Sequence, residues 1–334
     1  MFFLSNPAAW NLKTLQQLEI LPLYLKKDFW GKFSFNVKKE FMKSFLPFLK
    51  MLKTPQGKLS RMIITSIVAR SRRSADCTVG TITSVTIEDE SFPIDYDSTQ
   101  FDLCLDVTVL NENLAAVTEK VVDTSFQMII LDKLNQLYPT GLPESVVQLL
   151  GYTSHVANVS DISKWNITTI DTLSSLMNSD NGDWTSEQSK AVIMKYLSVE
   201  GNTLGTVELN AIGSNLCSLD VSVLNTITAD SLQNANILDI SSCSINQKSA
   251  LYIIANSSFS SQRSDPAAFF LLISPYLGGA PVEDIRALST QNISMDISTF
   301  LSLNPAVIMV RSRKRSESIF DTIQSESKGQ NRIY

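Results

Sequence analysis

One histidine stands in 334 residues, and the chain has no Cys-x-x-Cys pair, no glycine-rich phosphate loop, no GxSxG elbow and no HExxH helix. These absences remove the usual zinc spacing, the cradle for a nucleotide phosphate and the signatures of serine and metal hydrolases. His155, in "YTSHVANVS", has neither an acid nor a nucleophile motif beside it and reads as a surface or packing residue. Carboxylates are plentiful, as in Glu88-Asp89-Glu90, but adjacent acids usually form a solvated face. The run also lacks the spaced oxygen ligands and turn glycine of a calcium loop. No catalytic residue, metal site or cofactor is assigned, no small-molecule substrate is expected, and the chain reads as a non-enzyme.

Long hydrophobic runs are also missing. Nothing approaches the 18 apolar residues of a membrane-spanning helix, and "MFFLSNPAAW" turns polar after four residues without the layout of a secretory leader. The last apolar run is Ala306 to Val310, short of the hydrophobic tail that a lipid-anchor signal requires.

What is present is unevenly charged. Residues 1–73 hold 14 basic and 3 acidic side chains, residues 74–310 hold 8 and 27, and the remainder holds 6 and 3. The basic third interleaves its lysines with Phe45, Phe48, Leu49 and Leu52, the pattern of an amphipathic helix with a solvated basic face, so no nucleic-acid partner is expected. Beyond residue 310 the chain is polar and serine-rich, and a disordered tail over 311–334 is expected.

Most of the sequence between carries short helix signals. "TSEQSKAVIMKYL" opens with Thr185 and Gln188, a capping box, and sets Val192, Ile193, Tyr196 and Leu197 on one face. Gly278-Gly279 followed by Pro281, Glu283 and Asp284 ends one helix and starts another, and Pro143 and Glu144 repeat the arrangement. Helices of about 8–14 residues with short loops predict a helical stack. Residues 10–18 and 165–173 share a tryptophan, an asparagine and a common apolar spacing, a partial internal echo. The stretch "CTVGTITSVTIEDESFPIDY" is rich in β-formers without strict alternation and reads as a short strand pair or an irregular disulfide-clamped loop near 77–104.

Three marks bear on location. Cys77, Cys104, Cys217 and Cys243 fall in two couples 27 and 26 positions apart, which favours two local disulfides, although four cysteines permit three connectivities and buried thiols are the alternative. Arg70, Arg72 and Arg73 precede Ser74 in the spacing that fills the acidic pockets of a furin-type convertase, at the point where the charge reverses. Sequons occur at Asn158, Asn166, Asn256 and Asn292, all in the acidic part.

The blocks "LYPTGLPESVVQLLGY", "DISKWNITTIDTL", "NLCSLD" and "LGGAPVEDIRALSTQNISMDISTFLSL" resemble the mesothelin, stereocilin and otoancorin family, in family order, over roughly Ser74 to Leu303. The resemblance implies an all-α, armadillo-like right-handed superhelix of short stacked helices. It also implies cleavage between Arg73 and Ser74, making residues 1–73 the end of a released megakaryocyte-potentiating-factor-like part and 74–310 the mature domain. By the same resemblance Cys77 pairs with Cys104 and Cys217 with Cys243, and Asn166, Asn256 and Asn292 carry glycans, with Asn158 in a block of weaker match. A role in adhesion follows, with a heavily N-glycosylated membrane mucin bound through Ser74 to Tyr138 of an extracellular or cell-surface protein. Family precursors carry a leader and a lipid-anchor signal, neither of which this sequence shows, so a partial or diverged precursor is expected. The alternative is an intracellular helical-repeat scaffold.

Overall fold

The computed structural model describes residues 10–51 and 76–305, apart from residues 19, 26, 90 and 292. Arg70, Arg72, Arg73, Ser74, Asn292 and the tail 311–334 lie outside the described residues. Among those described there are α-helices and 3-10 turns and no strand, so the protein is all-α and built of short stacked helices. It divides into two compact units, Met1–Trp184 and Thr185–Tyr334.

The helices are shorter than expected: many run only four to seven residues, as at Ser98–Cys104, Val107–Glu112 and Val221–Leu224. The cause is local. Asp97, Asp106, Asp123, Thr169, Thr185, Thr228, Ser244 and Asp296 each accept a bond from a backbone amide two or three residues on, capping the start of a helix. Each cap stabilises its helix by about 1 kcal/mol and interrupts the one before. The capping box at Thr185 and Gln188 forms as the sequence predicts, and Val192, Ile193 and Tyr196 of Ser186–Leu197 are buried. Pro143 and Pro281 sit at the cap positions of Glu144–Val147 and Val282–Ser289.

In the first unit, the helix Phe35–Met51 folds back on Leu12–Gln16 and closes a small core of Leu15, Trp30, Phe33, Phe41, Met42 and Phe45. Aromatic packing dominates it: Trp30 lies 5.4 Å from Phe41, which stacks on Phe45 at 5.1 Å. One further residue closes the cluster, Ile94, from beyond the charge reversal.

After Cys77 the chain is irregular to Thr83, under the clamp of the Cys77–Cys104 disulfide, and then helical, which decides for the disulfide-clamped alternative and against the strand pair. Thr83 and Thr86 form a capping box that starts Ser84–Glu88, and Ile87 is buried while Val85 faces solvent. The local box outweighs the β-propensity of Val85 and Ile87, which is weak without cross-strand partners. The other end of that helix is closed from afar: Lys120, nearly buried, donates from Nζ to the carbonyls of Ile87 (2.7 Å), Glu88 (2.8 Å) and Asp89 (3.2 Å). A cation here answers both the orphan carbonyls and the negative end of the helix dipole.

The echo between residues 10–18 and 165–173 has no structural counterpart. Asn11 caps a helix that begins at Leu12, whereas residues 166–168 have no regular structure and the next helix, Ile170–Leu176, is capped by Thr169.

In the second unit, the helix Ile245–Ser258 is the centre of packing. Gly279 lies against it so closely that a Cβ there would fall 2.0 Å from the carbonyl oxygen of Lys248. Tyr252 donates to Asp284 (2.8 Å), tying this helix to Val282–Ser289.

Candidate partner-binding region and sequons

Within the expected binding region, the structure fixes the chain from Asp76 onward. Gln100, fully buried, donates from Nε2 to the carbonyl of Asp76 (3.0 Å) and accepts at Oε1 from the amides of Thr78 (2.7 Å) and Val79 (3.3 Å). Beside it Cys77 is bonded to Cys104, and the amide of Ile82 donates to the carbonyl of Cys104 (2.9 Å). Disulfide and glutamine together hold a segment with no regular structure of its own. Nothing in the sequence pattern marks Gln100 for this role; its three partners lie 21 to 24 positions away.

The outer surface of this region is acidic: Glu88, Asp89, Asp102, Asp106, Glu112, Glu119 and Asp132 are all exposed. Asp89 accepts from the amide and hydroxyl of Ser91 (both 2.7 Å), bonds that hold its carboxyl below the usual range. The run Glu88-Asp89 thus serves a turn and a capped helix, and among the described residues no group of acids, histidine or cysteine is arranged to hold a metal ion. Val85 and Met128 are exposed large apolar side chains in the region.

The second cysteine pair, Cys217 to Cys243, closes in the other unit, and no free cysteine remains. Gln247 repeats the glutamine clasp there, donating to the carbonyls of Cys217 (2.8 Å) and Leu219 (2.7 Å).

Three sequons are described. Asn158 is exposed and caps Val159–Ser163 through Oδ1, and Asn166 is exposed. Asn256 is half-buried, and its Oδ1 accepts from Arg263 (2.6 Å), leaving the nitrogen that carries a glycan free of that bond.

The Asn166 sequon sits in a clasp that joins two of the sequence blocks singled out above. Gly141, at φ +126°, faces the carbonyl of Lys164, and the amide of Asn166 donates to the carbonyl of Leu142 (2.9 Å). Glu144 then accepts from the amides of Thr168 (2.9 Å) and Thr169 (2.8 Å) and from the hydroxyls of Thr168, Thr169 and Thr172. Burial works against its charge, yet the bonds from Thr168, Thr172 and the two amides outweigh it and bring the carboxyl down to about 2.

His155 packs its ring 4.2 Å from that of Trp184, with Nδ1 3.1 Å from the hydroxyl of Ser154, and burial lowers its pKa. The sequence reading of a packing histidine matches this environment.

A family model for mesothelin matches residues 3–319, nearly the whole chain. The chain belongs to the mesothelin family. It is 32% identical to a mesothelin-like protein of Mus musculus over 314 residues, covering 91% of this chain and 45% of that one. A mesothelin-like protein of Homo sapiens is 32% identical over 321 residues (90% and 45%), and mesothelin of Mus musculus is 30% identical over 304 (89% and 46%). The chain therefore spans about half the length of the curated relatives it matches. Membership supports a cell-surface, mesothelin-type protein, and members of the family are cell-surface or extracellular. No described helix is long and apolar enough to cross a membrane.

Proposed function

We propose that this mesothelin-family chain is a non-enzymatic adhesion module of the cell exterior. A furin-type convertase cuts it between Arg73 and Ser74, and it binds a heavily N-glycosylated membrane mucin through the region Ser74 to Tyr138. The observation that carries the reading is the clamp at the start of that region. Cys77–Cys104 and Gln100 fix the backbone from Asp76 onward, two residues past the convertase sequence, so the cut leaves the binding region's own bonds in place. Two disulfides also suit an oxidising compartment and weigh against an intracellular scaffold.

The test is to express the full chain in secretory cells and measure its binding to mucin-bearing cells, before and after enzymatic removal of the mucin's N-glycans. Binding that depends on those glycans is expected. Failure to bind in both states, with both disulfides formed, would overturn the partner. Persistence of the uncut chain when Arg70, Arg72 and Arg73 are intact would overturn the processing.

A further inference from the structure

The turn from Phe92 to Tyr96 faces two ways. Phe92 and Tyr96 point into their own part of the fold, Phe92 lying 6.0 Å from Phe101 and the Tyr96 hydroxyl donating to the carbonyl of Gly80 (3.1 Å). Ile94 and Asp95 point the other way, onto the basic segment 10–51. Ile94 is only 3% exposed, and its neighbours are the Leu15, Trp30 and Phe41 cluster. Asp95 accepts from the ammonium of Lys39 at 2.6 Å, with both side chains partly shielded.

We propose that Ile94 and Asp95 form a docking surface for the chain's own segment 10–51, so that a cut within the connecting residues 52–75 does not by itself release the segment, and the release that the family resemblance implies is a second, dissociating step. The inference rests on the processing reading for when the cut occurs, but the contact itself does not depend on it. Three observations carry it. The segment has a core of its own, so cutting the connection does not dissolve the surface that receives Ile94. The contact joins an apolar plug to an ion pair, which gives it both area and register. The two parts also have opposite charge, 8 basic to 3 acidic residues in the segment 10–51 against 8 to 27 over residues 74–310, which favours re-encounter and retention. Cleavage alone then does not uncover this corner, which lies inside the region proposed to bind the mucin. Departure of the basic segment uncovers it.

The test inserts a recognition site for a sequence-specific protease after Gly57 in the full chain, cuts it, and follows both pieces by gel filtration. Co-elution is expected at about 0.1 M salt, with weaker retention at about 1 M, where the screening length falls from about 10 Å to about 3 Å. Asp95→Lys, at a partly exposed position, is expected to weaken retention about tenfold, and Lys39→Asp added to it to restore retention. Ile94→Asp is expected to release the segment at either salt. Separation of the unsubstituted pieces at low salt, or retention unchanged by Asp95→Lys, would overturn the proposal. A convertase that fails to cut after Arg73 would sink the processing reading and leave this measurement standing.

Discussion

Replacing Glu144 by glutamine tests the clasp at the Asn166 sequon. The carboxylate meets donors only, two of them backbone amides that cannot turn away, so the amide group of a glutamine brings a donor to a site that needs an acceptor. The carboxyl sits at about 2 instead of 4.5; at about 1.4 kcal/mol per tenfold in proton affinity, the clasp contributes at most about 3 kcal/mol. Glu144 is half open to water, and screening lowers this to about 1–2 kcal/mol. Because the folded group is the stronger acid, this stability is present above pH 4.5 and is lost as the pH falls toward 2. Hydrogen exchange at the amides of Thr168 and Thr169 reads it directly. Near pH 7, Glu144→Gln is expected to speed both about 5- to 30-fold, and near pH 2 the variant and the original are expected to converge. Equal exchange near neutral pH, or a difference that survives undiminished in acid, would refute the reasoning.

Gly141→Ala is expected to lower stability by about 3 kcal/mol or more, because a Cβ would fall 1.9 Å from the Lys164 carbonyl oxygen at a φ of +126°; a melting temperature unchanged by the substitution would contradict that approach. Lys120→Ala strips the cation from the carbonyls of Ile87, Glu88 and Asp89, at an expected cost of about 2–3 kcal/mol in urea unfolding. Each disulfide loop is worth about 3–4 kcal/mol by chain entropy, so Cys77→Ser and Cys217→Ser are expected to destabilise alike. Only Cys77→Ser is expected to impair partner binding beyond that loss, and equal losses of binding would point to global destabilisation.

Features written in neighbouring residues were legible in the sequence. The Thr185 and Gln188 box, the proline and acid starts at Pro143 and Pro281, and the cysteine couples each reveal themselves within a few positions or by count. Long-range bonds were not legible. Glu144 reads as an ordinary first-turn acid until residues 24 to 28 positions later fold onto it, and Gln100, Lys120 and Ile94 have the same character. The strand alternative and the internal echo failed for an identifiable reason, while the disulfide-clamped irregular alternative formed. The β-formers Val85 and Ile87 were outvoted by a two-threonine cap, and the resemblance of Trp10 to Trp165 is one of composition, since the helix start lies two residues after the first and five after the second.

Both disulfides close loops confined to neighbouring stretches of chain, 27 and 26 residues apart. A chain threaded into an oxidising lumen from its amino end presents Cys104 to Cys77 while Cys217 is still unmade. Of the three ways to join these four cysteines, the order of synthesis therefore offers the native one first. The correct pairing is selected by timing before it is selected by stability.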